Sequence, residues 1–310
     1  MDLKNKIKKS LDEKYRESTV ERIQSGIKNI FVNVFQTETF DKKLLYKFRI
    51  IKKYLETKEV ASRKTLVANI LSILKSEKSN KRIIERYERY FKKIVLDYED
   101  ESKYKEKTQK EKDNFVEWSY IEDLKNKYKG YVEKLKYPYS FKDMILFEKY
   151  LILELYTGIP PLRGEDYFNT KLEYDKENNY INLKTRILYL KKYKTSDKYG
   201  KRRIKIPLHI NKLLKKWFYI QKGYNKNLYN YWLLPKISSE LKENINSKGF
   251  SKMMSEIFKP KKISSVLLRK MYISKELSDP DITPFERKRI AKIMGHSLEM
   301  QEFIYSKYRK

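Results

Sequence analysis

The chain of 310 residues has no cysteine and only two histidines, His209 and His296. Without cysteine it can form neither disulfide bonds nor thiolate metal sites, and two histidines so far apart in sequence argue against a zinc site. We therefore expect any chemistry of this protein to proceed without a metal or another cofactor.

Long apolar segments are also missing. The most apolar stretch, residues 151–155, is interrupted by Glu154 and is far too short to span a bilayer. Residues 1–10 are charged and lack the apolar core of a secretion signal. These absences predict a soluble protein that is not secreted and has no membrane partner.

Positive charge, in contrast, is abundant. The 72 Lys and Arg residues outnumber the 41 Asp and Glu residues, which gives a formal net charge of +31 and a pI of about 9.7. Such a charge favours nucleic acid as a partner, because each phosphate neutralised by a basic side chain releases counterions. The alternative interpretation is that lysine only keeps the protein soluble, or reflects an AT-rich genome.

Apolar residues with helical spacing predict a small helical domain over residues 1–98. Residues 99–114 contain no aliphatic side chain and predict a linker, although a solvated extension of a helix would have the same composition. Three apolar stripes mark the helical domain: Val20, Ile23, Ile27, Ile30, Phe31 and Val34; Leu66, Ile70, Ile73 and Leu74; Ile83, Ile84, Tyr87, Phe91, Ile94, Val95 and Tyr98.

Residues 115–310 predict a second, larger domain. Its pattern is mostly helical, but residues 180–190 and 203–207 contain the alternation of apolar and polar residues that is typical of β-strands. Between them, residues 196–201 are rich in turn-forming and charged residues and predict a hairpin tip. We therefore expect a mainly α fold with a small antiparallel β-sheet.

Arg269, His296 and Tyr305 follow one another near the end of the chain, and His296 lies in a Gly-His turn nine residues before the tyrosine. These are the side chains needed to cut a DNA strand through a covalent phosphotyrosine. A tyrosine can act as the nucleophile, and an arginine stays charged and can donate two hydrogen bonds to one phosphate. Neither metal nor nucleotide is required if the tyrosine ester conserves the bond energy.

Two arginine segments resemble boxes of the tyrosine recombinases, the family of phage integrases and Xer-type resolvases. Residues 160–167, which contain Arg163, resemble the first arginine box, and residues 263–273, which contain Arg269, resemble the second. The double proline before Arg163 and the Asp-Tyr pair after it are similar to recombinases of virophages and large eukaryotic DNA viruses.

The end of the chain resembles the same family. Residues 294–297 resemble its Leu-Gly-His turn, and Tyr305 follows at the family's usual interval. The resemblance implies that Tyr305 attacks the scissile phosphate and that Arg163, Arg269 and His296 stabilise the transition state. It also implies that Asp166, three positions after the first arginine, supports that arginine.

In this family, a lysine on the hairpin of the sheet is the general acid. Lys194, in a Tyr-Lys-Thr segment ahead of the second strand, is similar to that position. Three neighbouring lysines remain alternatives for this role: Lys191, Lys192 and Lys198.

The resemblance also implies an organisation and partners. Residues 1–98 would be a core-binding domain, 99–114 a linker and 115–310 the catalytic domain, and the two domains would close around double-stranded DNA as a C-shaped clamp. Recombination requires four active sites, which implies a homotetramer assembled on DNA. Accessory DNA-bending proteins are further expected partners.

The chain departs from the family pattern in two places. Three residues before Arg269, where the family has histidine or lysine, this chain has Val266, which cannot transfer a proton; a register shift would place Ser265 there. Only five residues follow Tyr305, so we expect the contact between protomers to differ from that of relatives with a further helix. Tyr308 is a rival nucleophile, but it lies twelve residues after His296.

We expect a site-specific recombinase, the integrase of a virus or mobile element, in a compartment that holds its DNA: the cytoplasm of a prokaryote, or the nucleus or viral factory of a eukaryotic host. A type IB topoisomerase, which uses the same chemistry as a monomer, is one alternative. A non-catalytic DNA-binding protein is another, and Val266 favours it. At the level of residues, Arg163 and Asp166 could instead form a surface pair, and Arg269 could reach solvent along its stem.

Overall fold

A computed structural model describes Ile7, Leu11, Tyr15 and residues 17–104, 107–226 and 230–305, with the backbone alone for residues 101–104 and 303–305. The chain divides into two compact units, Met1–Lys105 and Glu106–Lys310. Among the helices of the described residues, none combines the length and the apolar content needed to cross a membrane.

The first unit is helical, and most residues of its predicted apolar stripes pack in one core, whereas Val95 and Tyr98 lie outside that cluster. Within this core, the ring of Phe31 stacks on Phe40, and the hydroxyl of the buried Tyr87 donates to the carbonyl oxygen of Leu45 at 2.9 Å. Its helices are α1 (Glu17–Phe35), α2 (Phe48–Glu56), α3 (Val60–Ser76) and α4 (Lys81–Tyr104), with a 3-10 helix at Lys42–Tyr46.

The segment predicted as a linker is largely helical. Helix α4 continues to Tyr104, and α5 spans Gln109–Asn114. Thr108 and Glu111 form a capping box at the start of α5, in which each side chain bonds to the backbone of the other. This cap supplies partners for N–H groups that a six-residue helix cannot satisfy internally.

The second unit is built around a central helix, α7. Its residues 150–156 are all buried, and Phe147 stacks on Trp217 of a neighbouring helix. The most apolar stretch of the sequence, residues 151–155, thus lies in the core of this unit. The helices are α6 (Trp118–Glu133), α7 (Phe141–Gly158), α8 (Gly164–Phe168), α9 (Ser196–Tyr199), α10 (Leu208–Tyr224), α11 (Ser247–Ile257), α12 (Ser265–Leu277), α13 (Pro284–Met294) and α14 (Leu298–Tyr305).

A four-stranded sheet lies in the second unit, in the order β1 (Thr170–Lys171), β2 (Asn179–Asn182), β3 (Ile187–Leu190) and β4 (Arg202–Lys205). Strands β2, β3 and β4 are antiparallel, and the two-residue β1 adds to β2 in parallel. The expected class, mainly α with a small sheet, is confirmed. The predicted hairpin tip at residues 196–201 contains the short helix α9, which is capped by Gly200.

Strand β4 has two faces of different character. Arg202 and Ile204 are buried, whereas Arg203 and Lys205 are exposed. Successive side chains of a strand point to opposite faces. Of the two consecutive arginines, Arg202 therefore faces the core side of the sheet.

Candidate active site

The site forms around the C-terminal end of α13. This helix is followed by its cap residue Gly295, whose φ of +70° is a left-handed conformation that favours glycine. The backbone N–H groups of Gly295 and His296 donate back to Lys292 and Ala291, at 3.3 and 3.1 Å. The last carbonyl groups of a helix have no partner within it and form the negative end of its dipole, so this turn attracts cations.

Three arginines occupy these carbonyl groups. Arg202 Nη1 donates to the Ile293 oxygen at 2.7 Å and to the Lys292 oxygen at 3.3 Å. Arg269 Nη2 donates to the Met294 oxygen at 3.0 Å, and Arg163 Nη2 to the Gly295 oxygen at 3.1 Å. Four consecutive carbonyl groups therefore bring together arginines that lie far apart in sequence.

Arg163 and Asp166 are held by the start of α8. The backbone N–H of Arg163 donates to Asp166 Oδ2 at 3.2 Å. The Asp166 side chain is fully buried, so the interpretation as a surface pair is wrong. The Nη1 of Arg163 is buried and has no hydrogen-bond partner among the described residues, which leaves a donor that an anion could use.

Arg269 lies within the apolar helix α12 and is 6% exposed. Its Nη1 donates to the carbonyl oxygen of Pro161 at 2.7 Å. The guanidinium group thus joins the segment before Arg163 to the turn after α13. The alternative in which Arg269 reaches solvent is wrong, because its hydrogen bonds hold it in the interior.

Arg202 is a site residue that the sequence reasoning missed. It lies 3.9 Å from Asp166 Oδ2 and its guanidinium carbon is 3.9 Å from the centre of the Tyr193 ring. A Cβ atom on Gly295 would lie 2.8 Å from Arg202 Nη1, so a larger residue there would have to displace this guanidinium from the helix end. The sequence could have predicted the burial of Arg202, because Arg202 and the buried Ile204 are two residues apart on β4 and therefore point to the same face of the sheet.

The buried charges influence one another. Burial raises the pKa of the Asp166 carboxyl, and the nearby guanidinium groups of Arg202 and Arg163 oppose that shift. Burial likewise lowers the pKa of Arg202, while Asp166 opposes it. The pair is therefore held together by attraction in a poorly solvated place, where removal of one partner would leave the other uncompensated.

His296 lies between Arg269 and α14. Its Nδ1 is 3.5 Å from Arg269 Nη2, and its Nε2 is 3.1 Å from Gln301 Oε1. Burial and the charge of Arg269 lower the pKa of His296 to about 4, with smaller contributions from Arg163 and Arg202. The imidazole is consequently neutral at neutral pH and can donate only one hydrogen bond.

Lys194 is exposed on the turn between β3 and α9. Its neighbour Thr195 donates from Oγ1 to the Gly295 oxygen at 3.5 Å, so the turn reaches the same carbonyl group as Arg163. Among the described residues, no hydrogen bond or ion pair involves Lys194 Nζ.

The alternative lysines have other contacts. Lys191 Nζ donates to the carbonyl oxygens of Asp175 and Lys176 at 2.8 and 3.1 Å. Lys192 lies 3.7 Å from Glu177, and Lys198 lies 5.4 Å from the centre of the Tyr199 ring. The ammonium groups of Lys191 and Lys192 are therefore near acceptors in residues 175–177, unlike that of Lys194 in the described residues.

Tyr305 is the last residue of α14, and its side chain lies outside the described part of the chain, as does all of Tyr308. Helix α14 begins two residues after His296. Val266, in the first turn of α12, is 61% exposed, and Ser265 is the first residue of that helix. Within the described residues, no cluster of three or more His, Asp or Glu side chains could hold a metal ion.

No protein-family model and no curated protein sequence matches this chain. Among solved structures, the chain is similar to XerA recombinase, with 12% identity over 98% of this chain and 92% of that one, at a TM-score of 0.43. It is also similar to the Tn1549 transposon integrase in complex with circular intermediate DNA, with 12% identity over 98% of this chain and 95% of that one, at a TM-score of 0.49. A second structure of that integrase, with transposon right end DNA, gives a TM-score of 0.47.

Proposed function

We propose that this protein is a tyrosine recombinase that cuts and rejoins DNA strands through a 3′-phosphotyrosyl intermediate, and that it integrates or excises a viral or mobile element. One observation carries the proposal. Arg163, Arg269 and His296 converge on the turn that leads from α13 into α14, the helix that ends at Tyr305. The sequence motifs predicted each of these residues separately.

In the proposed reaction, the Tyr305 hydroxyl gives its proton to water, and its oxygen attacks the scissile phosphorus and forms a phosphodiester to the 3′ side of the break. The bond from phosphorus to the 5′ oxygen breaks, and that oxygen leaves with a proton. Arg163 and Arg269 donate to the non-bridging oxygens, whose negative charge grows in the transition state. Rejoining is the reverse reaction, in which a 5′ hydroxyl displaces the tyrosine.

Lys194 is the proposed proton donor to the 5′ oxygen. It lies on the turn that contacts the Gly295 carbonyl through Thr195, and its Nζ is exposed. A general acid must reach the leaving oxygen, and a long exposed side chain on a turn can do so. Asp166 has the proposed role of orienting Arg163, since it accepts a hydrogen bond from the backbone of that residue.

Residues 1–98 of the first unit are proposed to be the core-binding domain. This domain closes with the catalytic domain around the DNA duplex, and the protein assembles on DNA as a homotetramer. Helices α1 and α3 border an open groove of about 650 Å³ with small polar side chains along it and Arg22 and Lys58 among its lining residues. Cations beside a groove of small side chains suit contact with a phosphate backbone. Replacing Arg22 and Lys58 by glutamine should weaken DNA binding and reduce its dependence on salt concentration.

The decisive experiment uses a nicked duplex that carries the element's attachment sequence. After cleavage near the nick, the short fragment that carries the new 5′ hydroxyl dissociates, so the strand cannot be rejoined and the covalent protein–DNA adduct accumulates, which a denaturing gel detects. Wild type and Tyr308→Phe should give the adduct, and Tyr305→Phe should give none while binding the duplex equally well. An adduct with Tyr305→Phe but not with Tyr308→Phe would show that Tyr308 is the nucleophile. The absence of an adduct with wild type would contradict the proposal.

A second candidate is a DNA-binding protein without catalysis. The exposed Val266 favours it, because valine cannot take the proton of the tyrosine hydroxyl. The three arginines also already bind backbone carbonyl groups. This candidate predicts sequence-specific binding of the nicked duplex with no adduct at any pH.

A further inference from the structure

Gln301 is a fully buried polar residue on α14 with contacts at both ends of its amide group. Its Oε1 is 3.1 Å from His296 Nε2, and its Nε2 donates to the carbonyl oxygen of Arg287 at 3.4 Å. The side chain therefore bridges the Gly-His turn and the body of α13. The sequence motifs did not point to this residue.

These contacts run from the Arg287 carbonyl through Gln301 and His296 to Arg269, and the two end groups determine which ring nitrogen of His296 carries the proton. The Arg287 carbonyl can only accept, so the amide nitrogen of Gln301 faces it and the amide oxygen faces His296. At the other end, the guanidinium of Arg269 can only donate, so His296 Nδ1 accepts. Both conditions place the imidazole proton on Nε2, where it is donated to Gln301.

We propose that Gln301 is a positioning residue that holds His296 with its proton on Nε2 and ties α14 to the Gly-His turn. The proposal rests on the proposed function, because a phosphate oxygen, like an amide oxygen, can only accept a hydrogen bond from that Nε2. Gln301 thus keeps His296 in the form that a DNA phosphate requires. When the phosphate binds, one of its oxygens replaces the amide oxygen of Gln301 as the acceptor from His296 Nε2.

The same contact bears on the proposed nucleophile. Gln301 and Tyr305 are four residues apart on α14, one helical turn, so they lie on the same side of the helix. A second contact between the two helices, from Arg287 Nη1 to Glu302 Oε1 at 3.4 Å, is partly exposed. The buried contact of Gln301 should therefore contribute more to the orientation of α14 than this ion pair.

The test uses the whole protein labelled with ¹⁵N-histidine, and long-range ¹H–¹⁵N correlation reports which ring nitrogen carries the proton. The chain has only two histidines, so the exposed His209 is an internal reference and Tyr305 chemistry is not needed. We expect His296 in wild type to show a protonated Nε2 and an unprotonated Nδ1 near pH 7.5. A protonated Nδ1 would overturn the proposal, and so would rapid averaging between the two forms.

Two substitutions extend the test. Gln301→Met keeps the length of the side chain but removes the acceptor, so the Nε2 form should lose population. Single-turnover cleavage should fall by roughly tenfold, by analogy with loss of the partner that orients a metal-bound histidine. Gln301→Glu keeps the acceptor and adds a charge, so the Nε2 form should persist and the ring should protonate at higher pH. The charged groups facing the ring are Arg269 on α12, Arg163 before α8 and Arg202 on β4.

Gln221→Met is the matched control. Gln221 is also fully buried and donates to a backbone carbonyl, that of Trp232 at 2.9 Å, but it lies on α10 away from these contacts. The Gln221→Met substitution should leave the His296 spectrum and the cleavage rate unchanged. Equal effects of Gln221→Met and Gln301→Met on the spectrum would reduce Gln301 to a packing role.

The two proposals fail in different ways. If the wild-type spectrum shows the Nε2 form and it responds to Gln301→Met, but no covalent adduct forms, the recombinase proposal fails and the positioning of His296 stands. If the adduct forms but the spectrum or rate does not respond to Gln301→Met, the positioning proposal fails and the recombinase proposal stands.

Discussion

The turn after α13 and the turn before α9 carry cations in opposite ways. At the first, Arg202 and Arg269 are buried and bind backbone carbonyl groups. At the second, Lys194 is exposed and has no hydrogen bond or ion pair among the described residues. The buried arginines form a fixed part of the candidate site, because the fold holds them, whereas Lys194 forms an exposed part that no hydrogen bond or ion pair of the described residues holds.

This difference suits the two tasks in the proposed reaction. Stabilising charge on phosphate oxygens is most effective when the donors are oriented beforehand, because no reorganisation is then needed during the reaction. Arginine also fits a fixed, planar arrangement better than lysine does, whereas lysine is a compact donor on a flexible stem. Substitutions in the fixed part should therefore change stability, and those in the exposed part should change only the rate of the proposed reaction.

The largest change in stability should come from Arg202. Arg202→Met would leave the buried Asp166 carboxyl without its nearest cation, and we expect the free energy of unfolding to fall by about 3 to 5 kcal/mol. Urea unfolding measures this, and Arg203→Met, on the exposed face of the same strand, should change it by less than about 0.5 kcal/mol. The double variant Arg202→Met/Asp166→Leu should recover much of the loss; no recovery would mean that the two side chains act independently.

A smaller effect should appear as pH dependence. The pKa of His296 is about 4 in the folded protein, below the ordinary value of about 6.5, so the unfolded chain takes up the proton first as pH falls. Stability should therefore be full above pH 6.5 and decrease between pH 6.5 and 4, by at most about 3 kcal/mol. His296→Asn should flatten this part of the curve, while His209→Asn should leave it unchanged.

Arg269→Lys should have an intermediate effect. Lysine keeps the charge but cannot donate to Pro161 and Met294 from one planar group, so we expect a loss of about 2 kcal/mol in the free energy of unfolding. Covalent cleavage of the nicked duplex should fall below detection. Unchanged cleavage would show that the charge, and not the geometry of the guanidinium group, is what matters.

The smallest change in stability should come from Lys194→Ala, within about 0.5 kcal/mol, because the side chain is exposed. Cleavage should nevertheless fall by about 100-fold or more, the contribution typical of a general acid. A substrate with sulfur in place of the 5′ bridging oxygen should restore the rate, because a thiolate leaves without a proton. Lys198→Ala is the control, and a rate loss there that sulfur restores would move the role to Lys198.

Much of the fold followed from local pattern. The apolar stripes of residues 1–98 and the alternation in residues 180–190 and 203–207 predicted helices and a small sheet, and both are present. The parallel β1 was not predicted, because two residues are too short to show a period. Residues 99–114 read as a linker because they lack apolar side chains, but the capping box at Thr108 and Glu111 supports a short helix there.

By itself, the sequence determined the kinds of side chain available and their spacing: two arginine boxes, a Gly-His turn and a tyrosine nine residues later, on a chain with a net charge of +31. It did not identify Arg202 or Gln301, or show that Arg269 and Asp166 are buried. Spacing along the chain fixes only contacts within a helix or a turn. Contacts between Arg202 and Asp166, or between Gln301 and Arg287 across two helices, depend on how separate segments pack, and only the tertiary structure decided them.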